Sequence, residues 1–280
     1  MDRISLQSPA KINLFLFVLG RREDGYHNIY SLVQVVDLVD TVEIERSDRT
    51  EIEFIGAKIS GESTIHKALK KLSEYVGEKL SAKIVVRKRI PAGAGLGSGS
   101  SNAAIALYGL NKIFNLGLSL ERLREIGASV GSDVPLFLTH GSAIISGRGE
   151  IIKEVNPPLD YSVVLIVPKI RIDTKWAYSN VTNYHQPPEE LLDEKSVEED
   201  NFWQSLSNFD NSFIQVIRNN FPSIAKDIDR LKSFGADYAS ITGSGSAYFG
   251  IFRDSTKALN ALMEKWDGNT YLVRPAKIVL

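Results

Sequence analysis

Three separated stretches of the chain carry residue types suited to handling a phosphate group. The first is "PAGAGLGSGSSNAA", Pro91 to Ala104, which leads straight into the apolar run "AAIALYGLNKIF". Backbone N–H groups unshielded by side chains form a nest that favours anions, and a helix N-terminus behind the nest adds partial positive charge. Strand, glycine-serine loop, helix is the order that phosphate binding needs. The familiar fingerprints do not fit, however. A Walker loop ends in Gly-Lys-Ser/Thr, and Gly99-Ser100-Ser101 has no lysine; Gly95, Gly97 and Gly99 are spaced G-x-G-x-G rather than G-x-G-x-x-G. Read alone, the loop is equally a flexible turn with a serine cap.

The second stretch is "SPAKINLFLFVLGRREDGYH", in which Lys11 and Asn13 share one side of an otherwise apolar strand. A lysine there is costly unless an anion partners it, the plainer reading being an edge-strand lysine that reaches water. The third is "GSDVPLFL", where Asp133 precedes a proline and an apolar run. Such an aspartate is a helix N-cap, or a carboxylate that accepts or orients a substrate hydroxyl.

The elements that must position these residues read as follows. "RISLQS", "KINLFLFVLG", "LVQVVDL", "TVEIERS" and "TEIEFIG" predict five strands, with turns at Asp24-Gly25 and Asp48-Arg49. Ile65, Ala68, Leu69, Leu72 and Val76 recur at helical spacing. "AKIVVRKRI" predicts a strand entering the glycine loop, and its "RKRI" is a local basic patch. Ser100 or Ser101 is expected to cap a helix running to about Asn115, and Ser119 the next one. Two prolines in "NPPLD" suggest a boundary between a unit of residues 1–156 and one of 157–280. Beyond it lie the strand "YSVVLIVP", helices separated by the polar loop "NYHQPPEELLDEKS", a strand pair around "TGSGSAYFGIF", and a last strand in "TYLVRPAKIVL". Strands and helices mix without steady βαβα alternation, so the expected class is α+β.

Composition narrows the function. Lys plus Arg number 33 against 34 for Asp plus Glu, a balance that argues against nucleic-acid and anionic-membrane binding. Absence of cysteine excludes disulfide scaffolds and Cys-ligated zinc. No signal-like leader opens the sequence and "INLFLFVLG" is too short to span a bilayer as a helix, so a soluble cytoplasmic protein is expected.

Taken together and in this order, the three motifs resemble those of the GHMP kinases, the group of galactokinase, homoserine kinase and mevalonate kinase. "AKINLFLFVLGRREDGYH" and the lengthened loop resemble the branch that acts on 4-diphosphocytidyl-2-C-methyl-D-erythritol. The resemblance covers essentially the whole chain. It implies a two-domain α+β fold, S5-like in residues 1–156 and ferredoxin-like in 157–280. It also implies an ATP- and Mg²⁺-dependent kinase whose acceptor carries a cytidine diphosphate moiety. By similarity Lys11 and Asp133 carry the chemistry. Pro91, Ala92, Gly93, Ala94, Gly95, Leu96, Gly97, Ser98, Gly99, Ser100 and Ser101 wrap the ATP triphosphate, with Ser100 or Ser101 near the metal. Tyr26 and His27 hold the cytosine and Tyr178 stacks on it. Asn13, Thr174 and Arg148 are further substrate contacts, and Gly243 and Gly245 of "TGSGSAYFGIF" close the site near the diphosphate. For Tyr178 core packing is the plainer reading, for Arg148 a solvated charge, and for the second glycine loop a tight turn. Ser98, Ser63 and Ser212 depart from the family pattern, where glycine, asparagine and aspartate are usual. Other readings are a kinase for mevalonate, homoserine or a sugar, or a non-catalytic ligand sensor or RNA-binding module on the same fold.

Overall fold

Alternating β-branched and aromatic residues fold residues 3–46 into one long antiparallel hairpin, β1 (Arg3–Arg21) and β2 (His27–Arg46). This computed structural model describes residues 2–58 and 61–280. Four of the five expected strands are therefore two. The pairing survives the sequence breaks because register shifts fall between Pro9 and Ala10, Asn13 and Phe15, and Val18 and Gly20. Such bulges leave Asp37 and Leu38 of β2 and Leu14 and Leu19 of β1 without a register partner and re-aim the side chains beside them. Lys11 and Asn13 lie between two of them.

The long β2 organises the first sheet. One edge pairs with β1 along its length; the other pairs with β4 (Ala82–Arg87) at Thr41–Arg46 and with β5 (Ser142–Gly147) at Ile29–Gln34. β3 (Glu51–Ile55) runs parallel to β4, and β6 (Ile151–Glu154) completes the far edge. Helix α1 (Thr64–Val76) buries Ile65, Ala68, Leu69 and Leu72, as its periodicity predicts. Ser63 caps it and forms a reciprocal pair with His66, which accounts for a serine at that position. Helix α2 (Ser98–Ile113) is buried along most of its length, and α3 (Leu120–Ala128) starts on the expected Ser119 cap.

The second sheet is fully antiparallel, in the order β10 (Gly268–Val273), β7 (Ser162–Pro168), β9 (Tyr248–Phe252), β8 (Tyr238–Ile241). Helices α4 (Thr174–Ser179), α5 (Glu199–Ser205), α6 (Ile214–Asn220), α7 (Pro222–Ser233) and α8 (Ser255–Met263) complete this half. The mixture of antiparallel sheets and interspersed helices is the expected α+β class. Among the described residues no helix is long and apolar enough to cross a membrane.

Two sets of contacts join the sheets. One apolar cluster takes Ala10, Ile12, Leu14 and Phe15 from β1 together with Val163, Leu165, Phe249 and Ile251 of the second sheet. The chain after β10 also returns to the first sheet, where Ala276 N–H donates to the Val35 carbonyl and Ile278 N–H to that of His140.

Candidate active site

Helix α2 begins without a side-chain cap. Its N-cap is Gly97 in the left-handed region, and neither Ser100 nor Ser101 plays the expected role. Gly93, Gly95 and Gly97 have φ of 72°, 77° and 71°, so every second residue is left-handed. A run of this kind turns successive N–H groups to one side as an anion nest, here with the first turn of α2 behind it. Glycine is needed at two of these positions for space as well. A Cβ on Gly95 would lie 3.1 Å from the Thr242 carbonyl oxygen and 3.4 Å from that of Gly245. On Gly97 it would lie 2.8 Å from Phe137 Cζ and 3.0 Å from Lys11 Cγ.

A buried polar cluster absent from the sequence reading supports the loop. Lys88 and Asp40 form an ion pair with side chains only 4% and 0% exposed, and Lys88 also reaches Ser98. Asp40 accepts in addition from Ser98 Oγ at 3.0 Å and from the N–H groups of Arg89 and Ile90 at 2.8 and 2.9 Å. The middle of "RKRI" is thus no surface patch. A carboxylate with this many donors is compensated for its burial, and it ties the end of β4 to the first residue of α2. The hydroxyl of Ser98 has its use here.

Two spaces meet at the loop. A cleft of 380 Å³ is lined by Pro91–Ser100, Asn102, Ser63, Thr64, Phe54 and Lys88. A larger cavity of 1060 Å³ shares Gly95, Gly97 and Ser100 with it. That cavity also gathers Lys11, Asn13, Tyr26, His27, Asp133, Arg148, Thr174, Tyr178 and Gly243. Two expected residues are elsewhere. Ser101 is fully buried and its hydroxyl accepts from Ser8 Oγ at 2.7 Å, which leaves Ser100 as the loop hydroxyl at the cavity. Gly245 is off the cavity wall, buttressing Gly95 from behind.

Lys11 is held from three directions. Its N–H donates to the Leu96 carbonyl at 3.0 Å, its stem packs on Gly97, and its Nζ donates to Asn13 Oδ1 at 2.6 Å. Burial lowers the ammonium's pKa and Asp133 opposes that shift. The expected anionic partner is therefore felt across the cavity but is not in contact. Among the described residues Lys11 has no ion pair, so a buried cation faces open space. Asn13 is fixed by Ser31 and Thr242, its Nδ2 donating to Ser31 Oγ and its N–H to Thr242 Oγ1, both at 2.8 Å. Asp133 is half-buried in the turn preceding the short 3-10 segment Pro135–Leu138, and its side chain caps no helix. The "GRGE" turn lies beside it: a Cβ on Gly149 would be 3.8 Å from Asp133 Oδ1.

At the other end of the cavity the β1–β2 turn presents Tyr26 and His27. Arg22 holds the turn, donating to Asp24 and to Asn28 Oδ1. The His27 ring lies 4.9 Å from that of Tyr178, which packs edge-on against Phe213 at 4.8 Å. Burial, reinforced by Arg21, lowers the His27 pKa, so its ring is neutral near neutral pH, with one donor and one acceptor nitrogen. Burial, with Asp133 nearby, pushes the Tyr178 phenol up to about 12. Tyr26 is 59% exposed and stacks under the Arg148 guanidinium at 5.0 Å.

Sequence reasoning missed what holds the second glycine loop. Asn211, fully buried, donates to the carbonyls of Ile241 and Gly243 at 3.2 and 3.0 Å. The adjoining Ser212 donates its N–H to the Leu16 carbonyl and accepts from Val18 N–H at 2.9 Å, adding a rung to β1. Ser244 Oγ donates to Thr174 Oγ1 at 3.2 Å, linking this loop to the start of α4. In the sequence only the departure of Ser212 from the family pattern marked this segment.

A glycine nest at a helix start, beside a buried lysine and a carboxylate across an adjoining cavity, defines the class of phosphoryl-transfer proteins with this two-sheet fold. Residues 63–141 match the GHMP kinases N terminal domain and residues 192–267 the GHMP kinases C terminal region, and the chain belongs to the GHMP kinase family. Within that family it belongs with the 4-diphosphocytidyl-2-C-methyl-D-erythritol kinases. The protein of that name from Thermodesulfovibrio yellowstonii is 37% identical over 92% of this chain and 93% of its own length. The one from Carboxydothermus hydrogenoformans is 36% identical over 96% of this chain and 95% of its own. A crystal structure of 4-(cytidine 5'-diphospho)-2C-methyl-D-erythritol kinase superposes with a TM-score of 0.80 at 28% identity, covering 98% of this chain and 99% of that one.

Proposed function

We propose that this chain transfers the γ-phosphoryl group of ATP to the 2-hydroxyl of 4-diphosphocytidyl-2-C-methyl-D-erythritol, a step of the non-mevalonate route to isoprenoid precursors. The observation that carries the reading is a single cavity. It has Lys11, Asp133 and the glycine nest at one end and the His27–Tyr178 aromatic pair at the other. An acceptor with a reacting alcohol at one end and a heteroaromatic base at the other fits that layout. A mevalonate or homoserine kinase has no use for the aromatic end.

The residues divide the work. N–H groups of the Gly93–Gly97 nest and of the first turn of α2 hold the triphosphate oxygens. Lys11, held by Asn13 and Leu96, offsets the charge that gathers on the transferring group. Asp133 accepts the acceptor hydroxyl's hydrogen bond, orients its oxygen toward the γ-phosphorus and is the group placed to take its proton. The new oxygen–phosphorus bond forms as the bond to the β-phosphate oxygen breaks, and ADP leaves. Transfer of this kind is largely positioning and charge stabilisation, so few further side chains are needed.

Among the described residues no three His, Asp or Glu side chains gather into a protein-only metal site. Asp133 and Ser100, two of the oxygen donors at the cavity, fit Mg²⁺, which keeps most of its ligands as water and phosphate oxygens. Bound there, it would neutralise phosphate charge. Tyr26, His27 and Tyr178 recognise the cytosine, with Asn13, Arg148, Thr174 and Gly243 as further contacts and Gly245 as support. We also propose a division at residues 156/157, so that the transfer residues and the second glycine loop come from different units, in a cytoplasmic enzyme.

The test is ATP consumption with Mg²⁺ against four acceptors: the cytidylylated alcohol, the same alcohol without cytidine, mevalonate and homoserine. Turnover with the first alone is expected. Equal turnover with the uncytidylylated alcohol would remove the base from the reading.

A further inference from the structure

The smaller cleft on the far side of the glycine nest has walls whose polar groups are already engaged inside the protein. The Ser63 hydroxyl accepts from His66 N–H and pairs with His66 Nδ1 at 2.8 Å. That nitrogen also accepts from Ser63 N–H, so the hydroxyl's proton is spent on it. Thr64 Oγ1 donates to the Gly99 carbonyl at 2.6 Å. Lys88 is held by Asp40 and Ser98, and Ser98 Oγ donates to Asp40. The amide oxygen of Asn102 accepts from Ser8 Oγ at 2.7 Å. At the end of β4 the N–H of Lys88 goes to the Ile55 carbonyl and those of Arg89 and Ile90 to Asp40. Among the described residues of the cleft, two side-chain groups are left without a partner, Ser100 Oγ and Asn102 Nδ2.

Telling adenine from guanine takes more than one free group. Where adenine carries the N6 donor, guanine carries the O6 acceptor, while both offer N7 as an acceptor. A site rejects the wrong base strongly only if that base would leave the site's own polar groups unpaired. Ser100 is shared with the large cavity and stands at the proposed metal position, which leaves Asn102 Nδ2. An amide N–H is satisfied by a ring nitrogen of either purine. The remaining walls are apolar, with Phe54, Pro91, Ala92 and Ala94 among them, and stacking on such walls tolerates any base. We propose that the donor site holds a triphosphate and leaves the base unread, so that the donor class is purine nucleoside triphosphates rather than ATP alone. With GTP the same oxygen–phosphorus bond forms, the same bond to the β-phosphate oxygen breaks, and GDP leaves in place of ADP. The inference rests on the reading of the Gly93–Gly97 nest as a triphosphate site.

The experiment measures kcat/KM of the full chain for ATP, GTP and ITP with Mg²⁺ and saturating cytidylylated acceptor. CTP is left out because the acceptor end of the cavity takes a cytidine phosphate. The values for GTP and ITP are expected within about tenfold of that for ATP, the range open to a site without matched hydrogen bonds. A larger preference for ATP over GTP would overturn the inference while leaving the kinase intact. Inorganic tripolyphosphate and adenosine are then compared as inhibitors competitive with ATP, at constant free Mg²⁺. Tripolyphosphate is expected to compete at the lower concentration, since the nest supplies the binding. Adenosine competing at the lower concentration would overturn it as well, because the base would then carry the affinity. A chain that turns over no triphosphate with any of the four acceptors would remove the underlying reading of the nest, and the inference with it.

Discussion

Replacing Gly97 by alanine tests whether the glycine loop and Lys11 are one mechanical unit. The substitution has two separable costs. At φ of 71° an L-residue is left-handed, a strain of about 1–2 kcal/mol. The new methyl also meets Phe137 Cζ at 2.8 Å and Lys11 Cγ at 3.0 Å, closer than a Cβ sits in a relaxed structure. Forcing a carbon into a filled site adds about 1–3 kcal/mol. Gly93 is the internal control, because it shares the left-handed backbone, φ of 72°, and a Cβ there meets nothing within 4 Å. Thermal and urea melts should therefore place Gly93→Ala about 1–2 kcal/mol below wild type and Gly97→Ala about 2–5 kcal/mol below. That separates the two by about 2–6 °C for a chain of this size. Phe137 is walled in by core, so the Lys11 stem yields, and kcat of Gly97→Ala should fall by about tenfold or more. Identical melts for the two variants, with kcat of Gly97→Ala intact, would refute the claim that the loop packs on Lys11.

Lys11→Met removes a buried ammonium without a contacting anion. Melts at pH 7 should show it as stable as wild type or more so, while turnover falls at least about 100-fold. The Lys11 pKa is lowered by burial from the ordinary 10.5, so between the folded pKa and the unfolded one the unfolded chain binds more protons. Stability therefore rises with pH across that window, and urea melts from pH 7 to 10 should show wild type gaining on Lys11→Met. Asp133→Asn should keep its melting temperature and lose turnover in single-turnover assays; unchanged turnover would remove Asp133 from the chemistry. Asp40→Asn, by contrast, strands Lys88 inside the protein and should cost about 3–5 kcal/mol in denaturant melts. Truncating the exposed Arg218–Asp229 pair should cost under about 1 kcal/mol in the same assay.

How much was legible in the sequence follows from what kind of interaction each feature depends on. Helix α1 was readable because its periodicity dictates which face is buried, and strand β7 because its unbroken apolar run is buried on both faces. The merging of four short strands into β1 and β2 was not, since the bulges at Leu38, Leu14 and Leu19 are settled by the partner strand. Lys11 was visible as a charge out of place in an apolar strand and Asp133 as a carboxylate ahead of a proline and an apolar run, whereas Tyr178 was reached only through the family resemblance. Asp40 and Asn211 were hidden for the opposite reason. An aspartate near a strand end and an asparagine in a loop are unremarkable until the chain closes and buries both completely. The basic patch misled in the same way: nothing local distinguishes Lys88, inside, from Arg87 and Arg89 on either side. Its burial depends on an aspartate 48 positions away.

The same long-range logic explains why the loop contains glycine where it does. Gly95 faces the carbonyls of Thr242 and Gly245 from the second half of the chain, and Gly97 faces Lys11 and Phe137 from the first. Thr242 in turn receives the Asn13 N–H, Asn13 holds the Lys11 ammonium, and Asn211 holds Gly243. The nest is thus wedged between two halves that both bear on the same lysine. Because Gly97 packs on the Lys11 stem and the Lys11 N–H donates to the Leu96 carbonyl, the glycine nest and the cation are positioned directly against each other. Phosphoryl transfer needs that property, because its rate depends on the alignment of few groups rather than on the strength of any one. A loop free to move by itself could bind a triphosphate equally well and would lose that alignment with every excursion.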